Sequence, residues 1–383
     1  MALLPPTGSS QVWVNTLVSS ATFSRRRNRG NSADLVAFLA VSSRLPLFDK
    51  DQLERLGDLS SGTTFRAERC KDTETGTVVA VKRLLGYSRK KTSTQPKGID
   101  YSVLQELKIS TYPPFLKCKN ITRTLGFNHD GLSTEAPILS LVVEFSEIGT
   151  LQQYLASISR TAATTGWAQK RALAADVASG LEAIHRCRVI HGDVKPENIL
   201  LFPNPAPTSK IGLIAKISDF GSAIVEDTFS AEELPRECKV YRGTPLWTPP
   251  IVRNSFRVPF EVMPFCDVFS FGLVVWTIYK GRTYYETSWK AADLSDVEYL
   301  DSIGALGLLE HFRAILSHKK EAMPLEEAEV LEKVVVRALM DRFLNKDLIT
   351  KMPIHREKLL KTAFGEISHL RKILLLQEPD EDR

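Results

Sequence analysis

Hydrophobic and polar positions alternate along the first part of the chain and fall into helical stripes along the rest. From about Leu53 to Glu144 the pattern is strand-like, with one helical segment set into it. Residues 77–84 (TVVAVKRL) predict a β-strand, residues 101–110 a helix, and the short apolar run 138–145 (ILSLVVEF) a buried strand. Beyond Gly149 helices dominate. Leu173, Val177, Leu181 and Ile184 recur at spacings of four, four and three, which puts one apolar stripe on a helix that ends just before residue 191. Two strand-like pieces, 199–202 and 215–218, flank a proline-rich turn at 203–207 and predict a hairpin, because proline cannot donate to a sheet ladder. Residues 268–279 (VFSFGLVVWTIY) are apolar almost all round, as in a helix buried on every side. Past Glu310 charged and apolar residues alternate with helical period up to an acidic end at 378–382, and no internal repeat occurs.

Composition narrows the class. The chain has 383 residues, 43% hydrophobic and 25% charged, enough for one large two-lobed domain or two smaller ones. A net charge of +5 spread over that length gives no footprint for nucleic acid. Five scattered cysteines, Cys70, Cys118, Cys187, Cys238 and Cys266, show neither a disulfide framework nor zinc-ligand spacing, which favours a reducing compartment. No apolar run approaches the roughly 20 residues of a membrane helix, the nearest being 35–41, and 268–279 is too short. A soluble, cytoplasmic protein without membrane contact is the expectation, with the nucleus as the alternative. The first 33 residues carry no acid and a bunched basic cluster at 24–30 (SRRRNRG) among helix-breaking prolines and glycines, which reads as a disordered extension.

The candidate chemistry is a set of polar residues in a fixed order. It comprises a glycine-containing turn from Gly57 to Gly62, Lys82 on a strand, Glu106 on a helix, the loop HGDVKPEN at 191–198, and Asp219-Phe220-Gly221. Phosphoryl transfer asks a protein for this: a carboxylate near the attacking hydroxyl, cations on the phosphates, and positioning. Over roughly 53–349 the chain resembles the eukaryotic protein kinase family, which implies an α+β fold with a small β-rich lobe and a larger helical one. The resemblance places an N-terminal extension at 1–50, the small lobe at 51–145, the large lobe at 146–362, and a helical and acidic extension at 363–383. It implies that Lys82 bridges the phosphates of ATP, paired with Glu106, and that Asp193 takes the substrate proton. Lys195 then neutralises charge on the transferred group, Asn198 and Asp219 hold Mg²⁺, and Thr244 lies near Asp193 and Lys195. Adenine falls to Ala80, Leu200 and the 144–146 stretch, with Glu144 and Ser146 as contacts and Val143 as gatekeeper.

Several positions depart from the pattern. The loop reads HGD where protein kinases usually write HRD, a spelling shared with small-molecule phosphotransferases. Against that rival stand Lys195, the DFG at 219–221, the segment 242–251 (RGTPLWTPPI), and 267–272 (DVFSFG), which looks like the helix whose aspartate holds the catalytic-loop backbone. Lys195 and Thr244 resemble the Ser/Thr type, so the implied partner is a protein with a Ser or Thr acceptor, and the HGDxKPEN and GTPxWxPPE-like segments make the chain similar to Ser/Thr kinase-like proteins of filamentous fungi. Gly192 removes the cation that an activation-loop phosphate neutralises elsewhere, so activity is expected without phosphorylation of Thr228 or Ser230. Leu59 replaces the middle glycine of the turn, Ser110 an apolar spine residue, and Ile251 a glutamate whose partner, near Asn345, is also missing. These keep a second reading open, a kinase-like binding module without chemistry. Substrate identity and oligomeric state are not encoded in any motif.

Overall fold

The computed structural model describes residues 45–61, 65–84, 106, 109–130, 138–161, 165–204, 212–225, 241, 243–253, 258, 260–281, 295–319, 323–339 and 356–376. The expectations placed on residues 1–44, Gly62, residues 101–105, the prolines at 205 and 207, Thr228, Ser230, Cys238, Arg242, Asn345 and the acidic end lie outside the described residues. The described chain is α+β and divides into two compact units. One holds the described residues of 45–117 and Thr122–Phe145, the other those of Cys118–Ile121, Ser146–Val225 and from 241 onward.

The first unit is built on a six-stranded sheet. Its strands are β1 (Leu47–Phe48), β2 (Leu53–Ser61), β3 (Phe65–Asp72), β4 (Val78–Leu84), β5 (Thr124–Asp130) and β6 (Ile138–Glu144), in the order β1-β5-β6-β4-β3-β2. The short helix α1 (Pro113–Leu116) precedes β5. All neighbours pair antiparallel except β1 with β5. The alternation read from residues 77–84 becomes β4: Val79 and Val81 are buried with Leu53, Cys70 and Val142, and the period of two turns Ala80 and Lys82 to the other face. Register then sets Ala80 opposite Val143 and Lys82 opposite Leu141. Strand β2 slips register between Arg55 and Gly57 and again between Asp58 and Ser60, so Leu56 and Leu59 have no partner on β3 and are 45% and 41% exposed. Bulges of this kind re-aim side chains and weaken pairing.

The second unit carries α2 (Leu151–Thr161), α3 (Trp167–Arg186), β7 (Val189–Ile190), β8 (Ile199–Pro203), β9 (Leu213–Ile217) and β10 (Ile224–Val225), then the helices α4 (Pro250–Arg253), α5 (Met263–Lys280), α6 (Asp296–Lys319), α7 (Leu325–Leu339) and α8 (Arg356–Leu374). The stripe on α3 is fully buried, with Leu173, Val177, Leu181 and Ile184 at most 1% exposed. At about 1.5–3 kcal/mol per buried side chain, this docking outweighs intrinsic helix propensity. Gly180 lets the helix approach closely, since a Cβ there would sit 2.6 Å from the Asn120 carbonyl oxygen and 2.8 Å from Ile217. Strands β8 and β9 form the expected hairpin, Ile199 opposite Ile217 and Pro203 opposite Leu213. Helix α5 is buried from Met263 to Tyr279. Helix α8 runs unbroken across 362/363, where an extension was expected to begin. It docks on α3 through Glu182, whose buried carboxylate accepts the Ser368 hydroxyl (2.8 Å) and pairs with Arg371 (3.2 Å) and Arg186 (2.8 Å).

One composition-based expectation is corrected. The helical stretch Phe260–Lys280 is 21 residues long and, by length and composition, apolar enough to cross a membrane, because a 3₁₀ turn extends the run seen at 268–279. Its most apolar window is entirely buried inside the protein.

Candidate active site

The predicted residues fall into two groups, one in each unit. In the first unit Lys82 on β4 forms an ion pair with Glu106, the two side chains being 17% and 4% exposed. Chain is helical at Glu106 and at Ile109–Ser110, and the Ser110 hydroxyl donates to the Glu106 carbonyl at 2.7 Å. A polar side chain at position 110 is therefore spent on its own helix. Glu144 exchanges backbone contact with Arg123: its N–H donates to the Arg123 carbonyl (3.0 Å), and its carboxylate accepts the Arg123 N–H (2.7 Å). Gly57 lies in β2, where a Cβ would meet nothing within 4 Å among the described residues.

In the second unit the loop after β7 is held from below. Strand β7 pairs with β10, Ile190 opposite Ile224. The carboxylate of Asp267, fully buried on α5, accepts the N–H groups of His191 (2.8 Å) and Gly192 (2.9 Å), the His185 imidazole (2.9 Å) and the Tyr241 hydroxyl (3.2 Å). Burial, the largest influence, pushes the Asp267 carboxyl up, but the His185 hydrogen bond and the surrounding imidazoles and loop amide prevail and hold it below its ordinary value. Burial also drives the Tyr241 hydroxyl well above its usual range, so it stays a neutral donor. Gly192 has φ +80°, and a Cβ there would lie 2.4 Å from the Ser222 carbonyl oxygen. The turn thus requires glycine both for its backbone and for its space. His191 fixes the next step. Its Nε2 lies 3.0 Å from the Ser218 carbonyl and its Nδ1 3.2 Å from the Asp193 N–H, so both ring nitrogens are engaged and the ring is fixed in the loop.

Four of the predicted residues meet around one carboxylate. Asp193 Oδ1 accepts both the N–H (2.8 Å) and the hydroxyl (2.7 Å) of Thr244. Asp193 Oδ2 pairs with Lys195 Nζ at 2.7 Å and accepts Asn198 Nδ2 at 3.1 Å. Lys195 Nζ also donates to Thr244 Oγ1 at 2.7 Å, closing the ring. The carboxylate, 14% exposed, is therefore oriented by donors on both oxygens. Asn198 spends its amide nitrogen on the Asp193 carbonyl (2.9 Å) and carboxylate, so Oδ1 meets no donor among the described residues. Asp219 follows closely, since the Ser218 N–H donates to the Asn198 carbonyl at 2.9 Å and continues the β8–β9 ladder. Asp219 has φ +66°, uncommon for any residue but glycine and a form of strain that gathers at functional sites. Phe220 is buried, its ring 5.5 Å from that of His191.

The oxygen donors of Asn198 and Asp219 suit a hard cation such as Mg²⁺, which is bound by one or two protein oxygens together with phosphates. Among the described residues no group of three or more His, Cys, Asp or Glu could hold a metal by itself. The cation would have to share its ligands with a phosphate. Ser146 is committed to the fold: its hydroxyl bonds the Leu201 carbonyl and accepts the Gly149 N–H at 2.9 Å, which leaves its main chain for a ligand. Leu200 stands on β8 beside it, bridged to Thr150. Sequence reasoning missed His185 and Tyr241, the other two donors on Asp267. The one available signal was an imidazole at the end of the apolar stripe of α3.

Comparison with known proteins places this geometry. A family model described as the protein kinase domain matches residues 52–353. A LEAF RUST 10 disease-resistance locus receptor-like protein kinase-like 2.4 of Arabidopsis thaliana is 32% identical over 171 residues, 44% of this chain and 24% of the relative. BRASSINOSTEROID INSENSITIVE 1 of the same plant is 27% identical over 262 residues, 67% of this chain and 20% of the relative. The systemin receptor SR160 of Solanum peruvianum is 29% identical over 238 residues, 61% and 17% of the two chains. The chain thus spans a quarter or less of the length of these relatives. Two of the three are named as receptors or receptor-like kinases, and one helix has the length and apolarity to cross a membrane, so the expected cytoplasmic location is not supported. With a match over most of its length and a carboxylate, lysine and asparagine gathered on one loop, this chain belongs to the protein kinase family.

Proposed function

We propose that the chain is an ATP-dependent protein kinase that phosphorylates serine or threonine hydroxyls of a protein substrate. The observation that carries the reading is the Asp193 carboxylate, held by Thr244, Lys195 and Asn198 at 2.7–3.1 Å. Its Oδ1 already accepts a hydroxyl at 2.7 Å, the reach a general base needs toward an acceptor alcohol. In this reading Asp193 takes the acceptor proton as the new O–P bond forms and the bond to the leaving ADP breaks. Lys195 stabilises the charge on the transferred group, and Lys82, held by Glu106, orients the α- and β-phosphates. Asn198 and Asp219 hold Mg²⁺. Ala80, Leu200 and the main chain of Glu144 and Ser146 receive adenine, with Gly57 on β2 and Gly62 beyond the end of that strand facing the phosphates. Bound MgATP supplies the phosphoryl group and offsets its negative charge. Residues 51–145 are the nucleotide lobe, residues 146–362 the catalytic lobe, and residues 363–383 a C-terminal helical and acidic extension.

Activity without activation-loop phosphorylation is part of the proposal, because Gly192 offers no cation for a phosphate to neutralise. The second reading, a binding module without chemistry, draws on Leu59 unpaired at a bulge and on Ser110 bonded to its own helix. Incubation with radiolabelled ATP and Mg²⁺ separates them. We expect label on phosphoserine or phosphothreonine of a generic basic protein, retained in Thr228→Ala and Ser230→Ala. Label only on a small metabolite would favour the small-molecule phosphotransferase, and no label at all the binding module.

A further inference from the structure

The segment that brings Thr244 to Asp193 is tied down again at its far end, by a side chain that the chemistry above does not use. After Thr244 the chain turns through Trp247, which is 2% exposed and whose carbonyl accepts the Ser270 hydroxyl of α5 at 2.6 Å. The Thr248 hydroxyl returns to the Thr244 carbonyl at 2.9 Å. Helix α4 follows, with the N–H groups of Val252 and Arg253 both on the Pro249 carbonyl (3.0 and 3.2 Å). A helix of one turn cannot hold itself in place. Val252 is buried in the core, but Arg253 points elsewhere, toward α6: its side chain is 5% exposed, and Nη1 lies 3.0 Å from Asp301 Oδ1 and 3.5 Å from the Val297 carbonyl.

Three observations single this contact out. Asp301 has no other partner among the described residues, and the pairing is one of charge at short range, since Oδ1 has no aligned hydrogen bond. Helix α6 is broken at Gly304 (φ +62°, ψ −169°), so Asp301 stands on a short separate piece that begins at Asp296. Finally, position 251 is isoleucine, so α4 carries no carboxylate and Arg253 is its only charge. A nearly buried guanidinium is costly without a counter-charge, so the Asp301 carboxylate contributes to where the short helix comes to rest.

We propose that Arg253 and Asp301 act as a positioning pair that anchors residues 243–253 on α6 and so keeps Thr244 against Asp193. The pair would set how firmly the protein acceptor is engaged, not how the nucleotide is held. The kinetic half of this proposal rests on the kinase reading; the anchoring half does not.

The test uses the full chain and the variants Arg253→Met, Asp301→Asn and the double variant. Hydrogen–deuterium exchange is followed at the amides of 247–253, with the β8–β9 hairpin as internal reference, and KM is measured separately for protein acceptor and ATP. In each single variant exchange at 247–253 is expected to rise about tenfold with the hairpin unchanged, and acceptor KM to rise about fivefold with ATP KM within about twofold. The double variant should match the worse single one, because two residues acting as a unit do not add. Wild-type exchange in Asp301→Asn, additive effects, or equal rises in both KM values would overturn the proposal. Should Arg253→Met fail to fold, Asp301→Asn decides alone, being a change at a side chain 27% exposed. Should the wild type transfer no phosphate, the kinase reading fails, and the exchange data still decide whether the pair anchors the segment.

Discussion

Asp267 gathers two consecutive loop amides, an imidazole and a phenol hydroxyl on one carboxylate that is fully buried. A charge in that place is tolerable only because every direction of approach is taken by a donor. Its carboxyl is held below the ordinary value, so the folded protein gives up this proton more readily than the unfolded chain. The contribution to stability is then complete above the unfolded pKa of about 4 and is lost as pH falls through the lower folded value. Asp267→Asn should cost on the order of 2–3 kcal/mol at neutral pH, and the gap from wild type should narrow in acid. Urea denaturation at pH 7 and near pH 3.5 would reveal this; a gap that stays constant with pH would contradict it.

Helix α8 is the element with the widest consequences outside the matched residues 52–353. Phe364 joins Ile190, Tyr241, Val252, Phe260 and Met263 in one core cluster, and its ring meets that of His185 edge-on at 5.5 Å. The helix thereby supports the imidazole that supports Asp267. Phe364→Ala should destabilise by about 3–5 kcal/mol, measured by urea denaturation, and a loss under about 1 kcal/mol would mean that α8 adds no packing there. Elements with a regular period could be read directly. The stripe on α3, the alternation in β4 and the hairpin after residue 198 all appear where their spacing put them, because burial on one face leaves a periodic trace. The bulges at Leu56 and Leu59, the edge-on contact of Phe364 with His185 and the pairing of Arg253 with Asp301 leave none. The last two join residues far apart in sequence, and only the tertiary fold decides which of several arginines or phenylalanines meets which partner.

Across the molecule the polar residues of the candidate site were legible as types in a fixed order, while their mutual geometry was not. No spacing rule says that Thr244 would give both its N–H and its hydroxyl to Asp193. The longest apolar helix was underestimated because a 3₁₀ turn extends it beyond its most apolar stretch. Ligand binding reports on the whole chain, since a ligand that binds only the folded state at about 100 times its Kd adds about 2.7 kcal/mol. MgATP should therefore raise the Tm by several degrees, and Asp219→Asn should lose the Mg²⁺-dependent part of that rise; an equal rise in the variant would exclude Asp219 as a cation ligand. The most direct measurement is the rate of phosphoryl transfer to a protein acceptor by the wild type and by Asp193→Asn, in which the hydrogen bonds of Thr244 can persist but the base is gone. The account predicts a fall in kcat of about 10²–10⁴-fold, and equal rates in the two proteins would contradict it.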